Sequence, residues 1–370
     1  MIVVQNSLPL VVFLATVPVS GTVLADYRTS VNNGTTVEIQ LQHKTVGDSV
    51  DYSPNLPQGG HATAVERRRF DENTAQLTVH RGQKLSLHGT VGQRQFTSLR
   101  DNFEFNAIGA GLRYQFYTGS TGSTYLMFDF DSNRAGRLNK NSYTTIDNQV
   151  IKSVSIDGPS DSQLTLGFQH LKSFGDTANF SVYGHIGKTD TSHDGLSGLL
   201  TRGNCNYSFD FGAAGGTVSQ IDTCGNLTAL SRIYPDDSTV QQEFGVSPVL
   251  DLQNRSTFLR AGASVSKNYN RWILSAEYYY QRYFRERLDD RITQAGGNVY
   301  DSNHTFTTSA GFRLNRDLTL TATAEYHQHR YLDVVPVLYT RLTSERFNDN
   351  AVFVSLNLNY KFSLQKYGTK

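Results

Sequence analysis

Two short stretches carry the acidic and imidazole side chains that hydrolytic chemistry uses. Asp129 and Asp131 are separated by one residue, and Glu325, His327 and His329 repeat that spacing. Residues two apart in an extended strand project to the same face. A carboxylate pair facing a carboxylate and imidazole pair across a cleft is a layout that can activate a water molecule. Asp129, Asp131, His327 and His329 are therefore the candidate catalytic residues of a hydrolase.

The alternative interpretation is that these groups are polar side chains on a hydrated wall. No serine and histidine pair lies in a recognisable motif, and the glycine-rich residues 212–216 lack the strand, helix and lysine of a phosphate-binding loop. The two cysteines have no nearby histidine, so we expect no metal site and no cofactor. Lys+Arg 34 nearly cancels Asp+Glu 33, which argues against a nucleic-acid partner. We expect a protein that is not an enzyme.

The elements that position these residues are β-strands. No stretch of ten or more residues sustains helical periodicity, whereas alternation of apolar and polar residues recurs throughout. The predicted strands cover residues 35–45, 73–82, 84–96, 106–118, 124–134, 162–174, 178–188, 256–267, 271–285, 302–314, 318–331 and 350–362. The sequence therefore predicts an all-β fold with about 12 strands, 14 being the alternative.

The connections between these strands alternate between short and long. Short turns are predicted at 82–83, 119–123, 175–177, 268–270 and 315–317, and the longer segments at 46–72, 97–105, 135–161, 189–255, 286–301 and 332–349. Tight turns at one end and long loops at the other are typical of a transmembrane antiparallel up-and-down β-barrel. The last strand is expected to pair with the strand that begins at Thr35.

One face of each predicted strand is apolar and the opposite face is polar. A dry core of such polar side chains would be too unfavourable, whereas a barrel places them around a hydrated lumen and turns the apolar face to lipid. The predicted lumen-lining charged residues are Glu38, Arg94, Arg113, Asp129, Arg260, Glu277, Arg285, Arg313 and Glu325. Their mixed signs predict weak ion selectivity or a lumen partly closed by ion pairs.

The stretch YYYQRYFRER at 278–287 adds aromatic rings to this wall. Its alternation places Tyr279, Gln281, Tyr283 and Arg285 inward, near the long-loop rim. Aromatic and arginine side chains in a row could form a sliding track for a sugar chain. The alternative is a set of interfacial tyrosines with arginines at loop level.

The ends of the chain are treated separately from the barrel. Residues 8–19 are almost wholly apolar and precede Val23-Leu24-Ala25, which predicts a signal peptide over residues 1–25. The apolar run is shorter than the roughly 20 residues that a membrane-spanning helix needs. Residues 26–370 are predicted to form a single β-barrel domain with long extracellular loops.

The longest predicted loop, 189–255, contains both cysteines, Cys205 and Cys224. Two cysteines in an exported chain indicate one local disulfide, which would stabilise the loop by about 3 kcal/mol. This loop is the best candidate for an inward-folded constriction or an external lid, the alternative being a surface loop without a specific ligand.

The last predicted strand carries a family resemblance. SLNLNYKF, 355–362, resembles the C-terminal assembly signal of bacterial outer-membrane β-barrel proteins, with Tyr360 and Phe362 as its aromatic end, although Asn357 stands where glycine is usual. Residues 314–331 and the last strand are similar to the final hairpins of barrels from exopolysaccharide operons and equally to many porins. The candidate catalytic residues are arranged similarly, in outline, to those of the omptin proteases, which differ in strand number.

This resemblance implies a location in the outer membrane of a Gram-negative bacterium, with membrane lipid and the barrel-assembly machinery as partners. Three functions stay open. The first is a porin-like channel for small polar solutes or glycans. The second is a non-conducting structural barrel that anchors a secretion, exopolysaccharide or surface complex through a protein partner. The third is a hydrolase active at the rim of the barrel.

Overall fold

A computed structural model describes residues 34–46, 69–82, 84–97, 102–120, 122–140, 144–146, 149–175, 177–212, 215–222, 231–244, 247–329, 332–341, 344–348 and 350–364. The predicted signal peptide, residues 1–25, lies outside these ranges. Cys224 lies outside them as well, so the pairing of Cys205 with Cys224 stays a prediction.

Strands dominate the described residues. They are β1 (Thr35–Val46), β2 (Arg69–Arg81), β3 (Leu85–Thr97), β4 (Asn102–Gly119), β5 (Gly122–Arg134), β6 (Arg137–Lys140), β7 (Thr144–Ile146), β8 (Gln149–Asp157), β9 (Ser160–Phe174), β10 (Ala178–Ser192), β11 (Gly195–Arg202), β12 (Cys205–Gly212), β13 (Gly215–Gln220), β14 (Ser231–Tyr234), β15 (Asn254–Tyr269), β16 (Trp272–Arg285), β17 (Ser302–Arg313), β18 (Leu318–His327) and β19 (Ala351–Leu364). Among the described residues, the long loops contain three α-helices, α1 (Asp237–Phe244), α2 (Pro248–Leu252) and α3 (Leu288–Gln294), and two short 3₁₀ helices, Pro336–Leu338 and Ser344–Phe347. None of the described helices is long and apolar enough to cross a membrane.

Twelve of the described strands close into one antiparallel barrel. Their order around the barrel is β1-β19-β18-β17-β16-β15-β10-β9-β5-β4-β3-β2. The last strand pairs with the first, with Leu41 opposite Leu358 and Thr35 opposite Leu364. The prediction of an all-β, twelve-stranded up-and-down barrel is confirmed, and so is its closure.

The short connections lie at one end of the barrel, together with the start of β1 and the end of β19. Gly82 and Gly175 stand in two of these turns with φ of 60° and 59°, a left-handed backbone conformation that favours glycine. We call this end the tight-turn end and the opposite end the long-loop end.

The outside of the barrel is an apolar belt. Exposed side chains from the strands include Leu41, Ile108, Phe128, Leu166, Phe168, Ile186, Leu259, Leu274, Phe306 and Leu356. Aromatic residues stand toward the belt edges, among them Phe116, Phe174 and Trp272 at the tight-turn end. In β19 the exposed positions Val354, Leu356 and Leu358 alternate with the buried Ser355 and Asn357. Such an exterior is stable only in an apolar solvent, and a closed barrel leaves no unpaired strand edge within it.

The two longest described loops build a second sheet outside the barrel. Its strand order is β14-β13-β12-β11-β8-β6, with β7 also paired to β8. One face carries an apolar cluster of Val154, Leu196, Leu200, Phe209, Phe211, Val218, Tyr234, Val240 and Leu252. The loop 189–255 therefore has its own core in the described residues. Its apolar side chains pack on one another, which favours an external lid or a surface loop over an inward-folded constriction, and the choice among these stays a prediction.

Candidate functional site

The lumen is lined by polar side chains whose exposure changes along the barrel. Toward the tight-turn end, Glu38, Gln40 and Gln42 of β1 are partly exposed, while Lys44 nearer the long-loop end is buried. The partly exposed polar positions continue on β2, at Gln76 and Thr78, whereas in β18 Thr321 and Glu325 are both buried and Thr323 between them is partly exposed. We call these two regions the open half and the sealed half of the lumen.

Ring side chains of the barrel interior pack closely against glycines of neighbouring strands. A Cβ added to Gly167 would stand 1.8 Å from Cδ2 of His185, and one added to Gly111 would stand 2.1 Å from Cε1 of His88. A Cβ on Gly187 would meet the ring of Phe258 at 2.1 Å. Each glycine gives a ring the room to lie against the wall, which keeps the ring out of the lumen.

The sealed half contains two buried ion pairs on neighbouring strands of one wall, since Lys44 of β1 lies opposite Glu72 of β2. Lys44 donates to Glu325 at 2.7 Å, and their side chains are only 6% and 5% exposed. On β2 and β3, Nε of Arg94 donates to Glu72 at 2.8 Å, and Arg94 also donates to Asn133 of β5. Buried charges of this kind need a partner, because burial removes their hydration.

A segment of the last long loop fills the lumen beside these ion pairs. We call the described residues of 332–348 the plug. Oδ2 of Asp333 accepts from the Tyr279 hydroxyl at 2.7 Å, and Oδ1 accepts from Asn303 at 3.1 Å. Oδ1 also stands 3.3 Å from Nδ1 of His327. Burial would raise the pKa of Asp333, but attraction to His327, hydrogen bonds from His327 and Tyr279 and attraction to Arg260 outweigh burial, so the pKa lies below its ordinary value.

The main chain of the plug is bound by the barrel wall as well. The Val334 carbonyl accepts from Nη1 of Arg94 at 2.9 Å, and the Leu332 carbonyl accepts from the Tyr283 hydroxyl at 3.1 Å. The Val337 amide donates to Oδ2 of Asp161 at 3.2 Å. These three wall residues belong to β3, β16 and β9, so the plug is held from several directions.

Apolar side chains of the plug pack against the barrel wall near the long-loop end. They form one buried cluster with the wall: Val46, Phe70, Phe96, Phe105, Phe258, Tyr283 and Phe353 from barrel strands, and Leu332, Val334, Val335, Val337, Tyr339 and Phe347 from the plug. Leu288 and Ile292 of α3 join this cluster. Burial of this cluster excludes water from the long-loop end of the lumen.

Ionic contacts link the plug to the other long loops. Asp251 of α2 is fully buried, pairs with Arg291 of α3, and has Oδ1 3.0 Å from Nε of Arg341 in the plug. The guanidinium of Arg285 lies over the Tyr339 ring at 4.0 Å, and burial raises the pKa of Tyr339 to about 12. The loop 189–255 therefore supports the constriction through Asp251, although the plug forms it.

A cavity remains below the plug, at the border between the sealed and open halves. Its lining residues are Arg94, Asp129, Asp131, Ser132, Asn133, Gln163, Thr165, His185, Arg260, Asp333 and Val334. Neither ring nitrogen of His185 has a hydrogen-bond partner among the described residues. The cavity is thus polar on the barrel side and closed by the plug on the other.

The four candidate catalytic residues do not form one cluster. Asp129 pairs with His88, whose Nε2 lies 3.4 Å from Oδ1, and it lines the cavity together with Asp131. His327 stands on the opposite wall with Nε2 3.3 Å from Glu325 and Nδ1 3.3 Å from Asp333. His329 stands beyond the end of β18 and faces the Phe347 carbonyl through Nδ1 at 3.0 Å.

Both ring nitrogens of His327 are occupied by carboxylates, and its side chain is buried under the plug. A general base must reach the proton that it removes, directly or through one water molecule. This environment suits a structural charge pair. A catalytic role for the four residues stays an untested prediction.

The predicted lumen-lining residues occupy both halves. Glu38 faces His80 at 3.5 Å, and the guanidinium of Arg113 lies over the Tyr125 ring at 3.8 Å. Glu277 accepts from the Tyr183 hydroxyl, and Nε of Arg260 donates to Gln281 at 2.6 Å. The others are placed as follows: Arg94 and Glu325 in buried pairs, Arg285 beside Asp289 and Tyr339, Asp129 at the cavity and Arg313 near the tight-turn end.

The sequence reasoning missed the apolar part of the site. Phe96, Phe258 and Phe353 stand two residues from the inward Arg94, Arg260 and Ser355, so strand alternation places them inward as well. An inward phenylalanine at the long-loop end of several strands was the available signal for a plug. Among the described residues, no group of histidine, cysteine, aspartate and glutamate is arranged to hold a metal ion.

No protein-family model matches the chain, and no curated protein matches it. Solved structures that are similar to it include the translocator domain of the autotransporter NalP from Neisseria meningitidis, at 11% identity and a TM-score of 0.49, covering 89% of each chain. The NanC porin has 7% identity and a TM-score of 0.40, covering 88% of this chain and 100% of that chain. The Pseudomonas putida toluene transporter TodX has 10% identity and a TM-score of 0.39, covering 90% of this chain and 89% of that chain.

These similarities are remote, so the conclusion on class rests on the structure in hand. A closed barrel with an even number of antiparallel strands, a polar interior and an apolar exterior is the form in which β-strands cross the bacterial outer membrane. The chain is a bacterial outer-membrane β-barrel.

Proposed function

We propose that this barrel is a channel for small polar solutes or glycans, held closed at its long-loop end by the plug. The observation that carries the proposal is the open half of the lumen. On β1 its wall has partly exposed polar side chains, and the His88 ring packs close against Gly111. A barrel that served only as a membrane anchor would have no need of a wall that keeps space for solute.

Displacement of the plug would lengthen this polar path. It would uncover Tyr279, Gln281 and Tyr283 on β16, which are now buried under the plug, and Arg285 beside them. Aromatic rings with arginines between them suit the faces and hydroxyl groups of a sugar chain. This row supports glycans as one class of cargo, and the mixed charges around it support weak ion selectivity.

Planar-bilayer recordings of the purified full chain test the proposal. A variant with Asp333→Asn and Val335→Ala loses one polar and one apolar anchor of the plug, so we expect frequent openings where the unaltered chain is mostly closed. The matched control, Asp301→Asn with Leu199→Ala, makes similar changes at exposed positions and should behave as the unaltered chain.

A third chain replaces residues 332–348 by a short Gly-Ser linker and should conduct steadily. If neither plug variant conducts while both remain folded barrels by circular dichroism, the channel proposal is wrong and a structural anchor becomes the better explanation. Openings in the control variant as well would show that the plug is not what closes the lumen.

A further inference from the structure

The barrel wall binds the plug through main-chain groups that any peptide carries. The bound residues form a turn at 332–334 and a 3₁₀ helix at Pro336–Leu338. The carbonyl groups of Leu332 and Val334 and the amide of Val337 are bound by Tyr283, Arg94 and Asp161. Main-chain groups are the same in every polypeptide, so this part of the recognition does not depend on the plug being part of the chain.

The side chains of residues 332–337 are recognised as well. The Asp333 carboxylate accepts hydrogen bonds from the hydroxyl of Tyr279 and the side-chain amide of Asn303, and Nδ1 of His327 lies 3.3 Å away. Leu332, Val335 and Val337 are 1%, 0% and 5% exposed, within a cluster whose wall side is Phe70, Phe96, Phe105, Phe258 and Phe353. The wall therefore combines main-chain binding, one carboxylate site and apolar pockets on both sides of it.

We propose that the sealed half of the lumen is a peptide-binding site, which residues 332–337 occupy within the chain. The same site would take an external peptide that has an aspartate between apolar residues and adopts the turn and 3₁₀ conformation of this segment. The binding groups come from β3, β9, β16, β17 and β18, which the barrel holds together without the plug. This inference rests on the proposed displacement of the plug, since the site is filled while the plug is docked.

An external peptide competes with a segment that is already attached. A tethered segment acts at an effective concentration of about the millimolar range, so a free peptide binds well only after the plug is weakened or removed. A peptide ligand would then hold the channel blocked in place of the plug, or be the signal that replaces it.

The experiment uses the chain whose residues 332–348 are replaced by a Gly-Ser linker. The probe is a fluorescein-labelled peptide of sequence LDVVPV, with blocked termini, and binding is measured by fluorescence anisotropy in detergent micelles. We expect saturable binding, and binding at least tenfold weaker for the same peptide with asparagine in place of aspartate, because a hydrogen-bonded charge is lost. A scrambled peptide of the same composition should bind no better than the asparagine peptide.

A wall variant identifies the carboxylate site. Tyr279→Phe removes one hydroxyl donor without changing the ring, so the preference for aspartate over asparagine should shrink. The matched control is Tyr278→Phe, whose hydroxyl lies on the outer face and contacts His304. It should leave the preference unchanged.

Several outcomes would overturn the proposal. Absence of binding at millimolar peptide, equal binding of all three peptides, or an unchanged aspartate preference in Tyr279→Phe would each do so. If the shortened chain does not fold, the same titration on the full chain with Asp333→Asn and Val335→Ser decides the question, because its plug keeps its length but loses two anchors.

Failure of this proposal is distinguishable from failure of the channel proposal. Anisotropy reports binding whether or not current flows. A shortened chain that conducts and ignores the peptide refutes the peptide site alone. A chain that binds the peptide and never conducts refutes the channel alone.

Discussion

The open and sealed halves of the lumen are built from the same strands and the same alternation, yet they satisfy their polar groups differently. In the open half, Glu38 and Gln40 keep part of their surface exposed. In the sealed half, Lys44 and Glu325 pair with each other instead of with water. The Arg94 guanidinium is bound by Glu72, Asn133 and a plug carbonyl instead of by water. The polar face of a strand can therefore be satisfied by water. It can also be satisfied by polar groups of the wall and the plug, where apolar side chains exclude the water.

The difference shows that the plug and the wall depend on each other. Buried charges that lose a partner are strongly destabilising, whereas partly exposed charges recover water. When the plug leaves, the sealed half must become hydrated along its whole width. The comparison therefore predicts two discrete states of the long-loop end, docked and hydrated, and little change at the tight-turn end.

The largest effect is expected from Glu325→Gln. This change leaves Lys44 without its buried counter-charge and His327 with Asp333 alone, which should lower the free energy of unfolding by about 3–5 kcal/mol. Guanidinium unfolding in detergent measures the loss. The matched control is Glu38→Gln in the open half, where a partly exposed pair contributes under about 1 kcal/mol. Equal losses of unfolding free energy at the two positions would contradict the proposed difference between the sealed and open halves.

The next effect is expected from Val335→Ala. Val335 is fully buried in the apolar cluster, and the cavity left behind should weaken docking of the plug by about 2 kcal/mol. Single-channel recordings should show more frequent openings. Val354→Ala, at a lipid-facing position that is half exposed, is the control and should leave the gating unchanged.

A smaller effect is expected from Gly167→Ala. The new methyl group would overlap the His185 ring, which must leave its preferred rotamer at a cost of about 1 kcal/mol and turn into the lumen. We expect a lower single-channel conductance in the chain with the shortened plug, and an unchanged one for Gly136→Ala, where a Cβ meets nothing within 4 Å. An unchanged conductance for Gly167→Ala would mean that solute does not pass this ring.

The smallest effect is expected from pH. Burial lowers the pKa of His329 below its ordinary value of 6.5, with His304 lowering it and the Phe347 carbonyl, Asp301 and Asp333 raising it. The folded state therefore favours the neutral ring, so stability at this contact is present above pH 6.5 and is lost as the pH falls below it. Openings should become modestly more frequent between pH 7 and 5, and His329→Gln should abolish that dependence.

Asp333 does not contribute in that pH range. Its pKa lies below the ordinary aspartate value, so the carboxylate stays charged and its stabilising effect is lost only in stronger acid. A dependence between pH 7 and 5 that survives His329→Gln would therefore point to a group other than these two.

The barrel itself could be predicted because alternation is a local property. Val354, Leu356 and Leu358 against Ser355 and Asn357 specify one face for lipid and one for the lumen, and any one-residue slip would exchange them. Turn positions such as Gly82 and Gly175 could be predicted for the same reason. Their left-handed backbone conformation favours glycine at one position, which is a local property of the sequence. Strand number, closure and the inward side of each charged residue follow from these local patterns.

The plug could not be predicted, because it depends on which distant residues the barrel brings together. Asp333 lies in an ordinary loop of the sequence and acquires its partners only when β16, β17 and β18 curve around it. The longest loop, 189–255, was the natural candidate for the constriction. Its Phe209 and Phe211 pack in a separate apolar cluster, and the shorter loop that contains the plug enters the lumen. The sequence determined the wall of this barrel through its alternation of apolar and polar residues. Only the tertiary structure decided which segment fills the lumen, because several loops could bury the same interior surface.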